Sequence, residues 1–140
     1  FGWRGYLQLR LFGDQPVKAA VVTGLIWGVW HYPINLRGYN FPDHEYLGLI
    51  VFPVSAVFIS IILGWFRYRS GSIWAASLGH SATNAIGGSL AALLFAAGPM
   101  LFTNYLGILA WIPLGIIAGW IVFSGRLPRE IDPEVYKSPA

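Results

Sequence analysis

Three side chains in apolar stretches of this chain have types that could do chemistry, because histidine can transfer a proton and asparagine can donate a hydrogen bond. His80 and Asn84 are four residues apart in one apolar stretch, and His31 lies in another. On a helix, this four-residue spacing places both side chains on the same face. An ionisable group in hydrocarbon is costly and is by default a candidate for function. Each group taken alone is explained equally well as a hydrogen-bonded contact between helices.

Three known designs for intramembrane hydrolysis do not fit the residues around these side chains. A zinc protease of the His-Glu-x-x-His type needs a glutamate after a histidine, but Tyr32 follows His31 and Ser81 follows His80. An aspartyl design needs paired carboxylates, and the predicted complete spans contain none. The Gly-x-Ser-Gly pattern of a rhomboid-like serine protease is absent. Without cysteine, thiolate zinc sites and a cysteine nucleophile are excluded too. Two histidines and an asparagine remain, and they still need a carboxylate.

The composition indicates a membrane domain. Hydrophobic residues make up 56% of the 140 residues and charged residues only 11%, whereas soluble domains carry about 25% charged residues. The net charge is +3, but the basic residues are spread over separate predicted loops and no soluble recognition module is visible. We therefore expect the lipid bilayer, and no nucleic acid, as a partner.

The helices that must position the candidate side chains follow from the apolar runs. Pro16 fits the first turn of a helix that brings His31 near its far end. Ser72 is a suitable N-cap for the helix that carries His80 and Asn84. The expected fold is an all-α, multi-pass transmembrane bundle of about four complete spans and the end of a fifth. The expected helices cover residues 1–12, 17–30, 47–66, 72–97 and 105–123, with loops at 35–46, 67–71 and 99–104.

Several residues are expected to shape the ends of these helices and the contacts between them. Gly13 should cap the first helix, Asp14 should cap the second, and Pro33 should end or kink it. The pairs Gly24 with Gly28 and Gly115 with Gly119 are small-xxx-small patterns, which usually form packing surfaces. Pro53 is expected to kink the 47–66 span.

The depths of the two histidines differ in this reading. At 1.5 Å per residue, His31 lies ~22 Å from the cytoplasmic end of its helix and His80 ~12 Å from the end of its own. Both therefore lie inside the membrane, but a difference of ~10 Å requires tilted helices or uneven helix ends if the histidines are to meet. The loops predict a cytoplasmic C-terminus, because Arg10, Lys18, Arg67 and Arg69 fall on one side with the basic tail and only Arg37 on the other.

Three motifs in the chain resemble those of the CPBP intramembrane proteases, which include the CAAX prenyl endopeptidases and the Abi immunity proteins. That family carries Glu-Glu-x-x-x-Arg, Phe-x-x-x-His and His-x-x-x-Asn on successive helices. Arg4 in Phe1-Gly2-Trp3-Arg4 is similar to the first motif cut after its glutamates. Trp27 to His31 is similar to the second motif, with tryptophan in place of phenylalanine, and His80 to Asn84 matches the third.

The resemblance implies an intramembrane endopeptidase whose domain has eight helices. This chain would be an internal fragment, with residues 1–125 forming the C-terminal half of the domain and 126–140 a cytoplasmic tail. A glutamate before Phe1 and His31 would activate water, while His80 and Asn84 would stabilise the oxyanion. Arg4 and Trp27 would support the site, and Arg4 would pair with the second glutamate. The fragment alone should be inactive because it lacks the glutamates.

The resemblance leaves cofactor and substrate open. Two histidines and a glutamate could bind Zn²⁺ through His31 and His80 or catalyse directly. Prenylated CAAX proteins, bacteriocin or pheromone precursors and other peptides are all possible substrates. The alternative from another functional class is a non-enzymatic membrane protein, either a degenerate immunity protein or a helical scaffold.

Overall fold

The computed structural model describes residues 1–12, 14–95 and 98–127, and within them it contains helices and no strand. The expected all-α class is therefore confirmed. The expected cap at Gly13, the end of the fourth helix near Ala97 and the tail beyond Leu127 lie outside the described residues.

The helices follow one another with short connections. Helix α1 has a π-helical part followed by one α-helical turn, and α5 has a π-helical turn between two α-helical parts. The bounds are Gly2–Leu7 with Gln8–Arg10 for α1, Pro16–Trp30 for α2, Tyr32–Asn35 for α3, Glu45–Ser70 for α4, Ile73–Ala82 with Thr83–Gly87 and Gly88–Phe95 for α5, Met100–Thr103 for α6, and Trp111–Phe123 for α7, which a 3-10 turn at Ile108–Ala110 precedes.

Helix α4 is the element against which the others pack. It contacts α2, α5 and α7, and its contact with α2 is the most extensive. Its charges suit the helix dipole, because Glu45 lies in the first turn and Arg67 and Arg69 lie in the last. The helix ends at Gly71, which has a left-handed φ of 68° and provides the C-terminal cap that glycine favours.

Glycines allow α2 and α4 to approach closely. A Cβ atom on Gly24 would lie 2.6 Å from the Cα of Val57, and one on Gly28 would lie 2.6 Å from the Cα of Pro53. Near these glycines the Ser60 hydroxyl donates a 2.6 Å hydrogen bond to the carbonyl of Ala20. The Gly24 and Gly28 pair is thus a packing surface, as the sequence predicts.

The boundaries of α4 differ from the prediction at both ends. The predicted loop at 67–71 is wrong because α4 continues to Ser70 and only the left-handed Gly71 stops it. The helix also begins at Glu45, two residues earlier than expected.

Pro33 has the predicted effect on α2, whereas Asp14 does not. Helix α2 ends at Trp30, His31 forms a turn, and Pro33 lies in the first turn of the short α3 that follows. Because Pro33 has no N–H, it cannot continue the hydrogen-bond pattern of α2. The predicted cap at Asp14 is wrong, because Gln15 occupies the N-cap position of α2 without a side-chain hydrogen bond.

Near the other end of the chain, the predicted loop at 99–104 contains α6. The last helix, α7, starts at Trp111 after the 3-10 turn at Ile108–Ala110, instead of at Tyr105. The predicted N-cap at Ser72 is confirmed, because its hydroxyl accepts a hydrogen bond from the Trp74 N–H at 3.2 Å.

Among the described residues, two stretches are long and apolar enough to cross a membrane, Glu45–Ser70 and Met100–Phe123, the second interrupted by a turn at 104–107. Helix α2 is apolar but has only 15 residues, fewer than the ~20 that a complete span requires. Large apolar side chains are exposed on the outer faces of the bundle, including Trp30, Leu78, Ile112 and Ile116. Such surfaces are unusual for a soluble monomer and are suited to contact with lipid.

Candidate active site

Trp27 is the residue that joins the two candidate histidines. Its ring lies 4.9 Å from the ring of His80 and 5.8 Å from the ring of His31, in edge-to-face geometry with both. The side chain is buried, with 6% of its surface exposed. Trp27 precedes His31 by four residues, which places it ~6 Å nearer the start of α2. The indole therefore bridges much of the difference in membrane depth that the sequence predicts between His31 and His80.

A hydrogen bond fixes the proton of the neutral His31 ring. The Nδ1 atom lies 2.8 Å from the carbonyl oxygen of Trp27, and a carbonyl oxygen can only accept. Nδ1 must therefore carry the proton, which leaves the lone pair on Nε2. The ring is also held from the side by Phe52, whose centroid is 4.6 Å away. His31 is thus oriented with one nitrogen free to act as a base.

One cavity of about 380 Å³ contains His31, His80 and Asn84. The three predicted residues come from two helices that are far apart in sequence, and the structure brings all of them to the same space. The walls also include side chains that the motifs do not contain. The full lining is Trp27, His31, Tyr39, Asn40, Phe52, Ala56, Ile59, His80, Thr83, Asn84, Gly88, Tyr105 and Leu106.

Asn84 reaches the cavity from the π-helical turn of α5. The regular α-helix ends at Ala82, and Thr83–Gly87 has the wider π-helical winding. Single π turns within α-helices occur frequently at functional sites. The Thr83 hydroxyl donates a 2.8 Å hydrogen bond to the carbonyl of Gly79, and the Asn84 side chain is exposed. His80 and Asn84 therefore face one cavity although the helix between them is not regular.

Arg4 packs against Trp27, the same aromatic side chain that contacts the two histidines. Its guanidinium carbon is 5.5 Å from the centroid of Trp27, and only 5% of the residue is exposed. Its Nε and Nη1 atoms have no hydrogen-bond partner among the described residues. A buried cation is stable only when it is paired. The residues Phe1, Arg4, Ser77 and His80 all border a second, small pocket of about 30 Å³.

The described residues do not by themselves form a zinc site. A catalytic zinc takes three protein ligands, and among these residues no group of three His, Cys, Asp or Glu side chains could hold a metal ion. The free Nε2 and hydrogen-bonded Nδ1 of His31 are typical of a metal-binding histidine, but His31 and His80 leave the ligand set one short. Direct catalysis also needs a carboxylate, which the residues that line the cavity do not include.

Three polar wall residues outside the motifs are not predicted from the sequence, namely Tyr39, Asn40 and Tyr105. Hydrogen bonds of asparagine side chains join the segment that carries Tyr39 and Asn40 to the segment that carries Tyr105. Asn104 donates from Nδ2 to the carbonyl of Asn40 at 3.2 Å, and Asn40 donates from Nδ2 to Oδ1 of Asn35 at 2.7 Å. The clustered asparagines of the 35–46 segment were the available signal, but nothing in the sequence paired them with Asn104.

One family matches this chain. Its description is type II CAAX prenyl endopeptidase, Rce1-like, and the match covers residues 1–86. The matched residues include Arg4, Trp27, His31, His80 and Asn84. No curated protein and no solved structure matches the chain significantly.

Proposed function

Because this chain belongs to the Rce1-like family of type II CAAX prenyl endopeptidases, whose members are embedded in membranes, we propose that it is the histidine-bearing part of an intramembrane endopeptidase. The observation that carries the proposal is the contact of Trp27 with both His31 and His80 beside one cavity. The proposed substrate is a peptide with a prenylated cysteine near its carboxyl end, the class that the family description prints.

In the proposed reaction, His31 and a carboxylate activate the attacking water. The lone pair on Nε2 of His31 can accept a proton, and a positioned base of this kind contributes about 10²- to 10⁴-fold to the rate. The family motif would place its two glutamates directly before Phe1. Phe1 and His80 border the same small pocket, so a carboxylate on that side would lie close to the histidines.

His80 and Asn84 serve in this proposal as hydrogen-bond donors to the oxyanion. A ring N–H of His80 and the Nδ2 amide of Asn84 are both able to donate, and both side chains face the cavity. Loss of one such donor typically lowers kcat by about 10²- to 10³-fold. Arg4, whose buried Nε and Nη1 atoms have no hydrogen-bond partner among the described residues, would neutralise the second glutamate and hold α1 against Trp27.

The proposed arrangement in the membrane is multi-pass, with the C-terminal end of α7 on the cytoplasmic side. The basic residues at the end of α4, Arg67 and Arg69, support this orientation. In this orientation the wall residues Tyr39, Asn40, Tyr105 and Leu106 of the cavity lie towards the opposite, non-cytoplasmic side.

Alanine substitution tests the proposed function. In the full-length protein reconstituted into lipid nanodiscs, His31→Ala and His80→Ala should each lower kcat for a farnesylated CAAX peptide by about 100-fold or more. His44→Ala is the matched control, since His44 lies in the exposed loop before α4, and it should change kcat by less than about twofold. If either site variant inserts normally and retains activity, the proposal is wrong. If both lose stability while the wild-type protein cuts no peptide, the non-enzymatic alternative is favoured.

Chelation separates direct catalysis from a zinc mechanism. A carboxylate of the family motif would complete a three-ligand set with His31 and His80, so the two mechanisms differ in their sensitivity to chelation: direct catalysis predicts unchanged hydrolysis after dialysis against 1,10-phenanthroline. Elemental analysis of the purified full-length protein should then find no stoichiometric zinc. Loss of activity that added Zn²⁺ restores, together with zinc bound to the wild type and not to His80→Ala, would establish the metal mechanism instead.

A further inference from the structure

Tyr105 separates two spaces of different character. On one side lies the cavity with His31, His80 and Asn84, and on the other lies a groove of about 300 Å³ between α5 and the segment from α6 to α7. Tyr105 borders both spaces. The groove is lined chiefly by apolar side chains, among them Leu90, Leu94, Phe102 and Leu109.

The ring of Tyr105 lies directly on the backbone of the π-helical turn. A Cβ atom on Gly87 would be 2.8 Å from Cδ2 of Tyr105, and one on Gly88 would be 3.7 Å from its Cε1. A contact of 2.8 Å is closer than real Cβ atoms approach, so the ring can occupy this place only because residue 87 is glycine. The ring therefore fills the gap between the α5 backbone and the opposite wall.

The backbone on both sides of Tyr105 is anchored by hydrogen bonds. The carbonyl of Leu106 accepts a 2.6 Å hydrogen bond from the hydroxyl of Ser55 on α4. The N–H of Leu106 donates to Oδ1 of Asn104 at 3.0 Å, and Asn104 in turn donates to the carbonyl of Asn40. With both neighbours held, the ring is a fixed wall of the cavity.

We propose that Tyr105 is a specificity-determining residue, whose ring limits the size of the substrate side chain that fits beside the bond being cut. This inference rests on the proposed endopeptidase function. With the ring in place, a large apolar side chain of the substrate has no space on the side of the cavity that Tyr105 borders. Without the ring the two spaces join, and such a side chain can enter the apolar groove. An apolar pocket discriminates by about 10- to 200-fold for each methylene that fits or does not fit.

A peptide library tests this role in the full-length protein in nanodiscs. The library consists of farnesylated CAAX peptides in which the cysteine is kept and the three residues after it are varied among Ala, Leu and Phe, with products quantified by mass spectrometry. Tyr105→Ala should raise the ratio of kcat/KM for Phe over Ala at one of these positions by about 10-fold or more. Tyr105→Phe, which keeps the ring, should leave the ratio within about twofold of wild type.

Two further variants test whether a change in the ratio comes from the loss of the Tyr105 ring, and not from a wider groove or a loss of folding. Leu109→Ala widens the groove behind an intact ring and should leave the ratio unchanged. Tyr105→Leu keeps apolar contact with Gly87, should shift the ratio by an intermediate amount, and decides the question if the alanine variant does not fold. An unchanged ratio in both Tyr105→Ala and Tyr105→Leu, or an equal shift in Leu109→Ala, would overturn the inference.

The library also distinguishes this inference from the function on which it rests. If wild-type cleavage depends on His31 and the Tyr105 variants keep the wild-type ratio, only the role of Tyr105 is wrong. If no peptide is cut in a His31-dependent way, the endopeptidase function fails and the role of Tyr105 fails with it.

Discussion

Trp27 affects the candidate site through its contacts with charged and polar residues of three helices. Its ring touches His31 on its own helix, His80 on α5 and the guanidinium of Arg4 on α1. Its carbonyl oxygen also accepts a hydrogen bond from Nδ1 of His31. A single buried indole thus fixes the relative positions of groups that are 76 residues apart along the chain, from Arg4 to His80.

Shortening Trp27 should therefore separate the histidines. We expect Trp27→Ala to leave a cavity that destabilises the fold by about 3 to 5 kcal/mol and to lower kcat by at least about 100-fold. Trp27→Phe keeps an aromatic ring and corresponds to the family motif, so its kcat should stay within about fivefold of wild type. Thermal unfolding in detergent and peptide hydrolysis measure the two effects. Equal activity of the alanine and phenylalanine variants would contradict a bridging role.

At the scale of the helices, glycines of similar sequence pattern differ in what they contact. Gly24 faces the backbone of α4 at a distance that excludes a Cβ atom, whereas a Cβ on Gly115 would meet only the ring of Phe58, at 3.6 Å. We expect Gly24→Ala to force α2 away from α4 and to destabilise the protein by about 1 to 3 kcal/mol. Gly115→Ala should be neutral or slightly stabilising, because alanine favours helix.

Thermal unfolding of the two variants in the same detergent checks this expectation. Both substitutions add one methyl group to an apolar helix, so any general effect of the added methyl cancels in the comparison. A melting temperature that falls equally for Gly24→Ala and Gly115→Ala would contradict the assignment of the α2 and α4 contact to Gly24.

The sequence predicts features that depend on neighbouring residues along the chain. It identifies the cap at Ser72, the first turn at Pro16 and the packing surface at Gly24 and Gly28, since each follows from local chemistry. It cannot predict the contact between Trp27 and His80, which depends on how α2 and α5 lie against α4. The sequence does not predict that Tyr105 and Asn40 line the cavity for a similar reason, because the hydrogen bond that joins Asn104 to Asn40 spans 64 residues. The sequence predicts the end of α4 too early, because the last turn of the helix is charged and therefore resembles a loop.

At the scale of the whole molecule, introduced cysteines can report the orientation in the membrane, because these 140 residues contain no cysteine of their own. Asp43 and Ser70 are both exposed and lie at opposite ends of α4. In intact cells, Asp43→Cys should react with a membrane-impermeant maleimide, whereas Ser70→Cys should react only after permeabilisation. This result follows from the basic residues at the Ser70 end of the helix. The reverse labelling pattern would contradict the proposed orientation.

The π-helical turn at Thr83–Gly87 also determines how the rest of α5 is rotated. An α-helix advances by about 100° per residue, and a π turn holds one residue more than an α turn. If the same residues were wound as a regular α-helix, without the π turn, all later residues of the helix would therefore be turned by about 100°. Leu90 and Leu94 would leave the groove beside Tyr105, although their spacing from each other would not change. The single extra residue in this turn therefore sets the direction in which the second half of α5 faces. The first half presents polar side chains to the cavity, and the second half presents apolar side chains to the groove.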